Sequence, residues 1–303
     1  MPCRSFRCLL LPCLLTACAT APPPPTLHQQ LTDLAHHFHG RVGICVLHLA
    51  TGDEVGIAEN KVFPSASLIK VPILAALLAK VDAGDLDYHE TLTYTRDRLY
   101  PGEDLLGAFT DGSTVALAKV AMLMITTSDN TAALWCQELA GGGPAINDWL
   151  ARAGFVATRV NSRTVGREAA KAQFGWGQTT PREMCELLAR MHAGTLVGAA
   201  ASEEMQRCLS RVYWDAEALA AIPPWVHAAS KQGAVSRSRS EVVLVNAPHG
   251  DYVFCVITKG QLDESWGHDN EGFVLLRDLS AMLWRHFEPD APYSPPAGTQ
   301  KFW

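Results

Sequence analysis

The stretch FPSASLIKVPIL occupies residues 63–74 and gives the first indication of both fold and chemistry. Ser67 and Lys70 are three positions apart, so on a helix their side chains share a face and can meet. The residues that follow, 73–79, are apolar nearly all round, which is typical of a helix inside a protein. A serine at the start of such a helix, beside a lysine whose pKa falls in a dry site, has the pattern of an activated nucleophile with its base. The alternative is an ordinary helix cap followed by a surface lysine.

Two further stretches favour the catalytic interpretation. The triplet Ser-Asp-Asn at 128–130 interrupts an apolar run. Because buried polar groups need partners, this triplet is expected to face a polar cavity; an ordinary helix cap is the alternative. The triplet Lys-Gln-Gly at 231–233 precedes the strand-like residues 241–245. It offers a cation beside backbone that a ligand can approach closely.

Strand patterns stand near both ends of the chain, and helical patterns lie between them. The predicted elements are hairpins at 41–58 and 241–258, a helical middle from about 68 to 211 and an amphipathic helix at 270–287. We therefore expect the two ends to meet in one antiparallel sheet, with the helical middle as a second lobe. The three motifs then converge at the seam, which is a usual place for a site.

The three motifs each occur once, in the order Ser-x-x-Lys, Ser-Asp-Asn, Lys-x-Gly. This is the motif set of class A β-lactamases and penicillin-binding proteins. From about residue 42 to 287 the chain resembles the class A β-lactamases and their penicillin-recognising serine hydrolase relatives. The separations of Ser128 and Lys231 from Ser67 are also close to those of the family. The resemblance implies an α+β fold of the β-lactamase/transpeptidase type, with about five antiparallel strands flanked by helices and an all-helical lobe.

Five segments are expected along the chain. They are a lipoprotein-type signal peptide at 1–17, a Pro-rich spacer at 18–26, a discontinuous α/β domain at 27–62 and 209–290, a helical domain at 63–208, and a tail at 291–303.

The resemblance also implies a role for each motif residue. Ser67 attacks the lactam carbonyl, Lys70 takes its proton, and Ser128 passes a proton to the leaving nitrogen with help from Lys231. The backbone N–H groups of Ser67 and Ala234 stabilise the oxyanion. The residues that contact the substrate are Asn130, Lys231, Gln232 and Gly233. No metal or cofactor is implied.

The loop at 158–181 departs from the family pattern. Family members that hydrolyse the acyl-enzyme carry a Glu and, a few residues on, an Asn that together hold the water. Here Glu168 is the only acid in the loop. It lies nearer Thr179 than the family Glu does, and its Asn partner is missing. Gln178 stands where the family often has an Asp. Glu168 is the candidate deacylating base, and a solvated loop carboxylate is the alternative.

The Lys-x-Gly motif departs as well. Gln232 stands where Thr or Ser is usual, so the group that normally helps hold the substrate carboxylate is changed. Arg237 or Arg239, on the next strand, is the candidate replacement. A solvated strand face is the alternative for both arginines.

The N-terminus has the pattern of an export signal. Arg4 and Arg7 precede a short apolar run that cannot span a bilayer. The residues Leu-Thr-Ala-Cys at 15–18 resemble a bacterial lipobox, which predicts lipidation of Cys18 and a protein anchored in the periplasm, most simply at the outer membrane. Cleavage by an ordinary signal peptidase near Ala17 is the alternative.

Composition narrows the partners. The net charge is −6 and no basic stripe is present, which argues against a nucleic-acid partner. The cysteines beyond the lipobox are interpreted as buried small hydrophobes, with one disulfide possible. A monomer that acts on a small β-lactam or a peptidoglycan-like substrate is expected.

Three functions remain open at this point. The first is β-lactam hydrolysis through an acyl-enzyme on Ser67. The second is a D,D-peptidase or esterase-like penicillin-binding hydrolase with the same chemistry. The third is a penicillin-binding or sensing module that acylates and deacylates slowly. The departures around Glu168 favour the second and third.

Overall fold

The computed structural model describes residues 24–100, 102 and 104–302. The α-helices in this part of the chain are α1 (Leu27–His36), α2 (Lys70–Asp82), α3 (Leu117–Thr126), α4 (Asn130–Leu139), α5 (Gly142–Arg152), α6 (Glu168–Phe174), α7 (Pro181–His192), α8 (Ala199–Leu209) and α9 (Glu271–Phe287). The strands are β1 (Arg41–His48), β2 (Glu54–Ile57), β3 (Phe63–Pro64), β4 (Thr91–Thr93), β5 (Thr114–Ala116), β6 (Arg159–Val160), β7 (Gly177–Thr179), β8 (Ala228–Val235), β9 (Ser238–Val245) and β10 (Tyr252–Lys259). The predicted signal peptide and Cys18 lie outside the described residues.

One five-stranded sheet joins the two ends of the chain, in the order β2-β1-β10-β9-β8. Its pairings are antiparallel, and β1 pairs with β10 from Arg41 opposite Lys259 to His48 opposite Tyr252. This confirms the predicted α+β fold with a sheet formed from both ends. Strands β9 and β10 are buried along nearly their whole length, because helices cover both faces of the sheet. Their continuous apolar sequence follows from that double burial.

Two hydrophobic cores lie on opposite faces of the sheet. One packs α1 and α9 against the strands, with Leu31, Leu279 and Trp284 among its buried members. The larger core continues through the other face into the helical lobe. Helix α2 runs through this lobe, and its residues from Lys70 to Leu78 are all buried. The interior helix expected after Ser67 is therefore present, although it begins at Lys70.

Ser67 itself lies in a single 3₁₀ turn, Ala66–Ile69, between β3 and α2. This turn packs against β8, the edge strand that carries the Lys-Gln-Gly triplet. The Ser-Asp-Asn triplet lies between α3 and α4. The seam between sheet and helical lobe thus brings all three motifs together.

Five cysteines lie in the described part of the chain, and all five are buried and free. They are Cys45, Cys136, Cys185, Cys208 and Cys255. Among the described helices, none has the length and apolar character needed to cross a bilayer.

Candidate active site

The turn that carries Ser67 is held in an unusual backbone conformation. The residue before the serine, Ala66, has φ +44°, a left-handed value that non-glycine residues seldom adopt. Gly233 on β8 lies directly against the turn, since a Cβ at Gly233 would stand 2.8 Å from the Ser67 backbone nitrogen. Only glycine allows this approach of strand to nucleophile. Ala234 follows on the same strand and lines the same cavity as Ser67.

Lys70 is buried at the first position of α2. Its Nζ donates to Asn130 Oδ1 at 2.8 Å, to Ser128 Oγ at 3.0 Å and to the Ser128 carbonyl. Burial lowers the pKa of Lys70 to about 7, and the negative charges of Asp104 and Asp129 partly oppose this shift. A large fraction of Lys70 is therefore neutral near pH 7, as a base for Ser67 must be.

Ser128 stands between two lysines. Ser128 Oγ accepts from Lys231 Nζ at 3.1 Å and also from Lys70 Nζ. Lys231 Nζ donates in addition to the Gln232 carbonyl at 2.7 Å. A hydroxyl has two lone pairs, so two N–H donors leave its own proton to point elsewhere. Burial, together with the nearby charge of Lys70, lowers the pKa of Lys231. Ser128 is thus arranged to donate a proton towards a group in the cavity.

Asp129 fixes the Ser-Asp-Asn triplet to the helical lobe. Its carboxylate accepts from Ala132 N at 2.7 Å, which caps α4, and from Leu106 N at 2.8 Å. Burial raises the pKa of Asp129. Ser128 has φ +59°, and the cap holds the chain in that left-handed turn while Asn130 begins the helix.

A cavity of about 640 Å³ opens in front of these groups. Five residues in or beside the three motifs line it: Ser67, Ser128, Asn130, Gln232 and Ala234. Charged and aromatic residues also line it, and they include Asp104, Glu217, Arg277, Trp214 and Trp266. The arrangement suits a nucleophilic acyl transfer in which one wall supplies the serine, its base and a proton donor.

The comparisons with known proteins agree with this geometry. A family model described as the β-lactamase enzyme family matches residues 26–287. The chain belongs to the β-lactamase enzyme family. Within the family, β-lactamase AER-1 of Aeromonas hydrophila is 26% identical to this chain over 212 residues, which are 70% of each protein.

Solved structures show the same fold. PBP-A is 27% identical, with a TM-score of 0.77 over 89% of this chain and 100% of PBP-A, and a PBP-A variant solved as an acyl-enzyme complex with penicillin G matches equally well. An ancestral class A β-lactamase has a TM-score of 0.75 at 24% identity, over 86% of this chain and all of its own. The chain therefore has the fold that PBP-A shares with the class A β-lactamases.

Glu168 lies away from this constellation. It is the first residue of α6, its side chain is exposed, and its Oε1 accepts from Gly166 N at 3.1 Å. It lines neither cavity that reaches Ser67. The position is that of the solvated loop carboxylate, the alternative raised from the sequence.

A hydrogen bond between an arginine and a neutral amide braces the loop where the family often uses an ion pair. Arg167 donates to Gln178 Oε1 at 2.7 Å and to Asn161 Oδ1 at 3.0 Å. Gln178 donates in turn to the Ala157 carbonyl at 3.2 Å. Gln178 therefore keeps a bracing role without a charge.

Neither arginine proposed from the sequence lines the cavity between Ser128 and Trp266. Arg239 is buried; its guanidinium donates to the carbonyls of Val235, Ser238 and Ser265 and packs on Trp266 and Phe273. Arg237 lines a different cavity beside Ser67. Gln232 lines the expected wall.

The arginine in that cavity is Arg277, which the sequence reasoning missed. It comes from α9, far along the chain from the motifs, and donates to the carbonyls of His268 and Ala216. The sequence feature that could have indicated Arg277 as a cavity residue is its position beside apolar residues in an amphipathic helix, and this feature is weak.

Two acids close enough to act on the pKa of Lys231 were also missed, one fully buried and one at the cavity. Glu241 on β9 is fully buried and accepts from Ser230 Oγ at 2.6 Å and from Ala218 N at 2.8 Å. Burial and the nearby charge of Glu217 raise the pKa of Glu241 to about 8. Glu217 lines the cavity, and burial raises its pKa too. A lone acid at the head of the apolar run 241–245 was the signal for Glu241.

Proposed function

We propose that this protein is a serine β-lactamase-type hydrolase that forms an acyl-enzyme with β-lactams on Ser67. The observation that carries the proposal is the pair of bonds from Lys70 and Lys231 to Ser128 Oγ, beside a nucleophile turn that touches β8. Such a wall provides a base, a proton donor and an oxyanion hole around one serine, as acylation requires.

Acylation follows from these positions. Neutral Lys70 takes the Ser67 proton as Oγ bonds to the lactam carbonyl carbon. The backbone N–H groups of Ser67 and Ala234 bind the oxyanion. When the C–N bond breaks, Ser128 gives its proton to the nitrogen and recovers one through the lysines on either side. Asn130, which lines both cavities at Ser67, contacts the substrate amide.

Deacylation is the slower half of the proposed reaction. A general base must reach its water directly or through one other water, and its loss costs about 10²–10⁴-fold in rate. The only acid in the middle of the loop, Glu168, is exposed and turned towards Gly166. We therefore propose efficient acylation followed by slow hydrolysis.

A D,D-peptidase-like or penicillin-binding role is the second candidate. It needs the same Ser67, Lys70 and Ser128 wall, and the exposed position of Glu168 favours it. The likeness to PBP-A, whose variant was solved as an acyl-enzyme with penicillin G, also supports this reading.

One experiment tests the proposal and distinguishes the two candidate functions. The purified protein is mixed with a chromogenic cephalosporin while turnover and covalent mass are followed together. A burst with a mass gain that maps to the peptide of Ser67, and that disappears in Ser67→Ala, is expected. Slow turnover after the burst indicates the hydrolase, and an adduct without turnover indicates the penicillin-binding role. Labelling that persists in Ser67→Ala contradicts the assignment.

A further inference from the structure

A second cavity, of about 550 Å³, also reaches Ser67. It shares Ser67, Asn130 and Ala234 with the first cavity but does not include Ser128. Because Ser128 is the proton donor for the leaving nitrogen, the leaving side of a substrate lies in the first cavity. The acyl side, across the broken bond, then extends into the second. We call this second space the acyl cavity.

Aromatic side chains form one wall of the acyl cavity. They are Tyr100, Phe174 and Trp176. Tyr100 and Trp176 meet edge to face, with ring centres 4.9 Å apart at 83°. Phe174 is the last residue of α6, so the short helix in the loop is what brings this ring to the cavity. A wall of this kind favours a flat apolar group such as an aromatic ring.

Two cations complete the cavity. Lys259, at the end of β10, holds its Nζ 4.8 Å from the centre of the Phe174 ring. Arg237 donates to the Gln261 carbonyl at 3.1 Å and forms an ion pair with Glu264 at 3.6 Å. Both side chains of that pair are more than half exposed, so Glu264 neutralises Arg237 only weakly. Among the described residues that line the cavity, none is an acid.

We propose that the acyl cavity selects substrates whose acyl side chain combines an aromatic ring with a carboxylate. The ring packs against Phe174 and Trp176, and the carboxylate lies near Arg237 and Lys259. This positive patch belongs to a chain whose net charge is −6, so it is local to the cavity. The inference rests on the proposed acylation of Ser67, since it concerns which substrates acylate that serine fastest.

The test uses three penicillins that differ at one position: benzylpenicillin, its α-carboxy derivative and its α-amino derivative. Second-order acylation rate constants are measured by mass gain or by competition with a fluorescent penicillin. We expect the α-carboxy compound to react fastest and the α-amino compound slowest. The ratio of the α-carboxy to the benzyl rate should fall as salt is added, because exposed charges are screened.

Charge-removing variants assign the preference to its residues. Arg237→Gln and Lys259→Gln should each lower the α-carboxy to benzyl ratio, by up to about fivefold, the limit for an exposed ion pair. Lys171→Gln is the matched control, because Lys171 is an exposed cation of α6 that does not line the cavity. The control should keep the parental ratio.

The outcomes separate this inference from the proposed function. Failure of all three penicillins to acylate Ser67 overturns the proposed function and the inference with it. Acylation by all three at equal rates, or fastest with the α-amino compound, overturns the inference alone. A parental preference that survives in both charge-removing variants shows that Arg237 and Lys259 do not cause it.

Discussion

Lys70 is the residue whose protonation governs the proposed reaction. Burial holds its pKa at about 7, well below the value of an exposed lysine, against the opposing charges of Asp104 and Asp129. Burial, together with the charge of Lys70, lowers the pKa of Lys231 in turn, because two cations repel. The folded site therefore keeps a base that becomes active as the pH rises through neutrality.

The first prediction is a pH profile for acylation. The rate constant for acylation by benzylpenicillin should rise with pH and level off above the pKa of Lys70, measured by stopped-flow from about pH 5 to 9. Asp104→Asn removes a negative charge that stabilises protonated Lys70, so the rising limb should move to lower pH. Glu168→Gln, at an exposed position, is the control. Its acylation rate constant should rise over the same pH range as that of the parent. A limb that does not move in Asp104→Asn contradicts the charge argument.

The second prediction concerns hydrolysis of the acyl-enzyme. Because Glu168 is exposed and bonded to Gly166 N, Glu168→Gln should deacylate at the parental rate. Loss of the acyl mass is followed after rapid removal of free penicillin. If the variant instead accumulates acyl-enzyme while it acylates normally, Glu168 moves into the site and acts as the base.

The motif residues could be predicted, and the residues opposite them could not. Ser67, Lys70 and Ser128 lie within short patterns whose chemistry is local. Arg277 and Glu217 reach the cavity only through the packing of α9 and of the segment before β8, which no local pattern encodes. Arg239 was misjudged because strand alternation does not show that its guanidinium binds three nearby carbonyls.

At the level of elements, the loop between α5 and α7 is anchored by one buried carboxylate. Glu183 on α7 accepts from the backbone nitrogens of Val156, Ala157 and Thr158 at 2.6–2.9 Å. It also accepts from Thr158 Oγ1. These bonds fix the start of the loop, while β7 pairs with β3 just before Ser67. The loop is therefore tied to the nucleophile turn at its far end.

The third prediction tests this anchor. Glu183→Ala leaves several buried donors without an acceptor, and each costs roughly 1–3 kcal/mol, so stability should fall by about 3 kcal/mol after relaxation and water entry. Urea denaturation measures the loss. Glu186→Ala, on the same helix but about half exposed, is the control and should cost about 0.5 kcal/mol or less. Equal losses in the two variants would show that Glu183 is not an anchor.

The sequence predicts that this loop departs from the family pattern, but it does not predict the structure of the loop. Helix α6 has seven residues and no side-chain cap, so no start signal marks it. Glu183 lies 25 positions from Thr158, beyond the reach of any local pattern. The hairpins were predictable because each rests on alternation and a turn within a few residues.

At the scale of the whole molecule, the central sheet joins the N-terminal and C-terminal parts of the chain. Strand β1 pairs with β10, so the two ends form one layer and the helical lobe is an insertion between them. This single sheet was expected because strand patterns stand near both ends of the chain and helical patterns stand between them. Helices α1 and α9 pack on one face of the sheet, and the helical lobe packs on the other. This packing depends on side-chain contacts that the order of the elements along the chain does not predict.

The fourth prediction concerns where the folded molecule is held. The Leu-Thr-Ala-Cys pattern at 15–18 predicts a lipid on Cys18, and Pro22–Pro25 would then act as a stiff spacer between membrane and fold. Cys18→Ser should move the protein from the membrane fraction to the soluble periplasm and abolish labelling by radioactive palmitate.

Cys13→Ser is the matched control, because Cys13 lies in the apolar part of the same segment and is not the lipobox cysteine. Its fractionation and labelling should equal those of the parent. Acylation of Ser67 by penicillin should persist in Cys18→Ser, since the catalytic wall is built from residues far along the chain. A parental protein that is already soluble, with an unmodified N-terminus, contradicts the lipobox interpretation and leaves cleavage near Ala17.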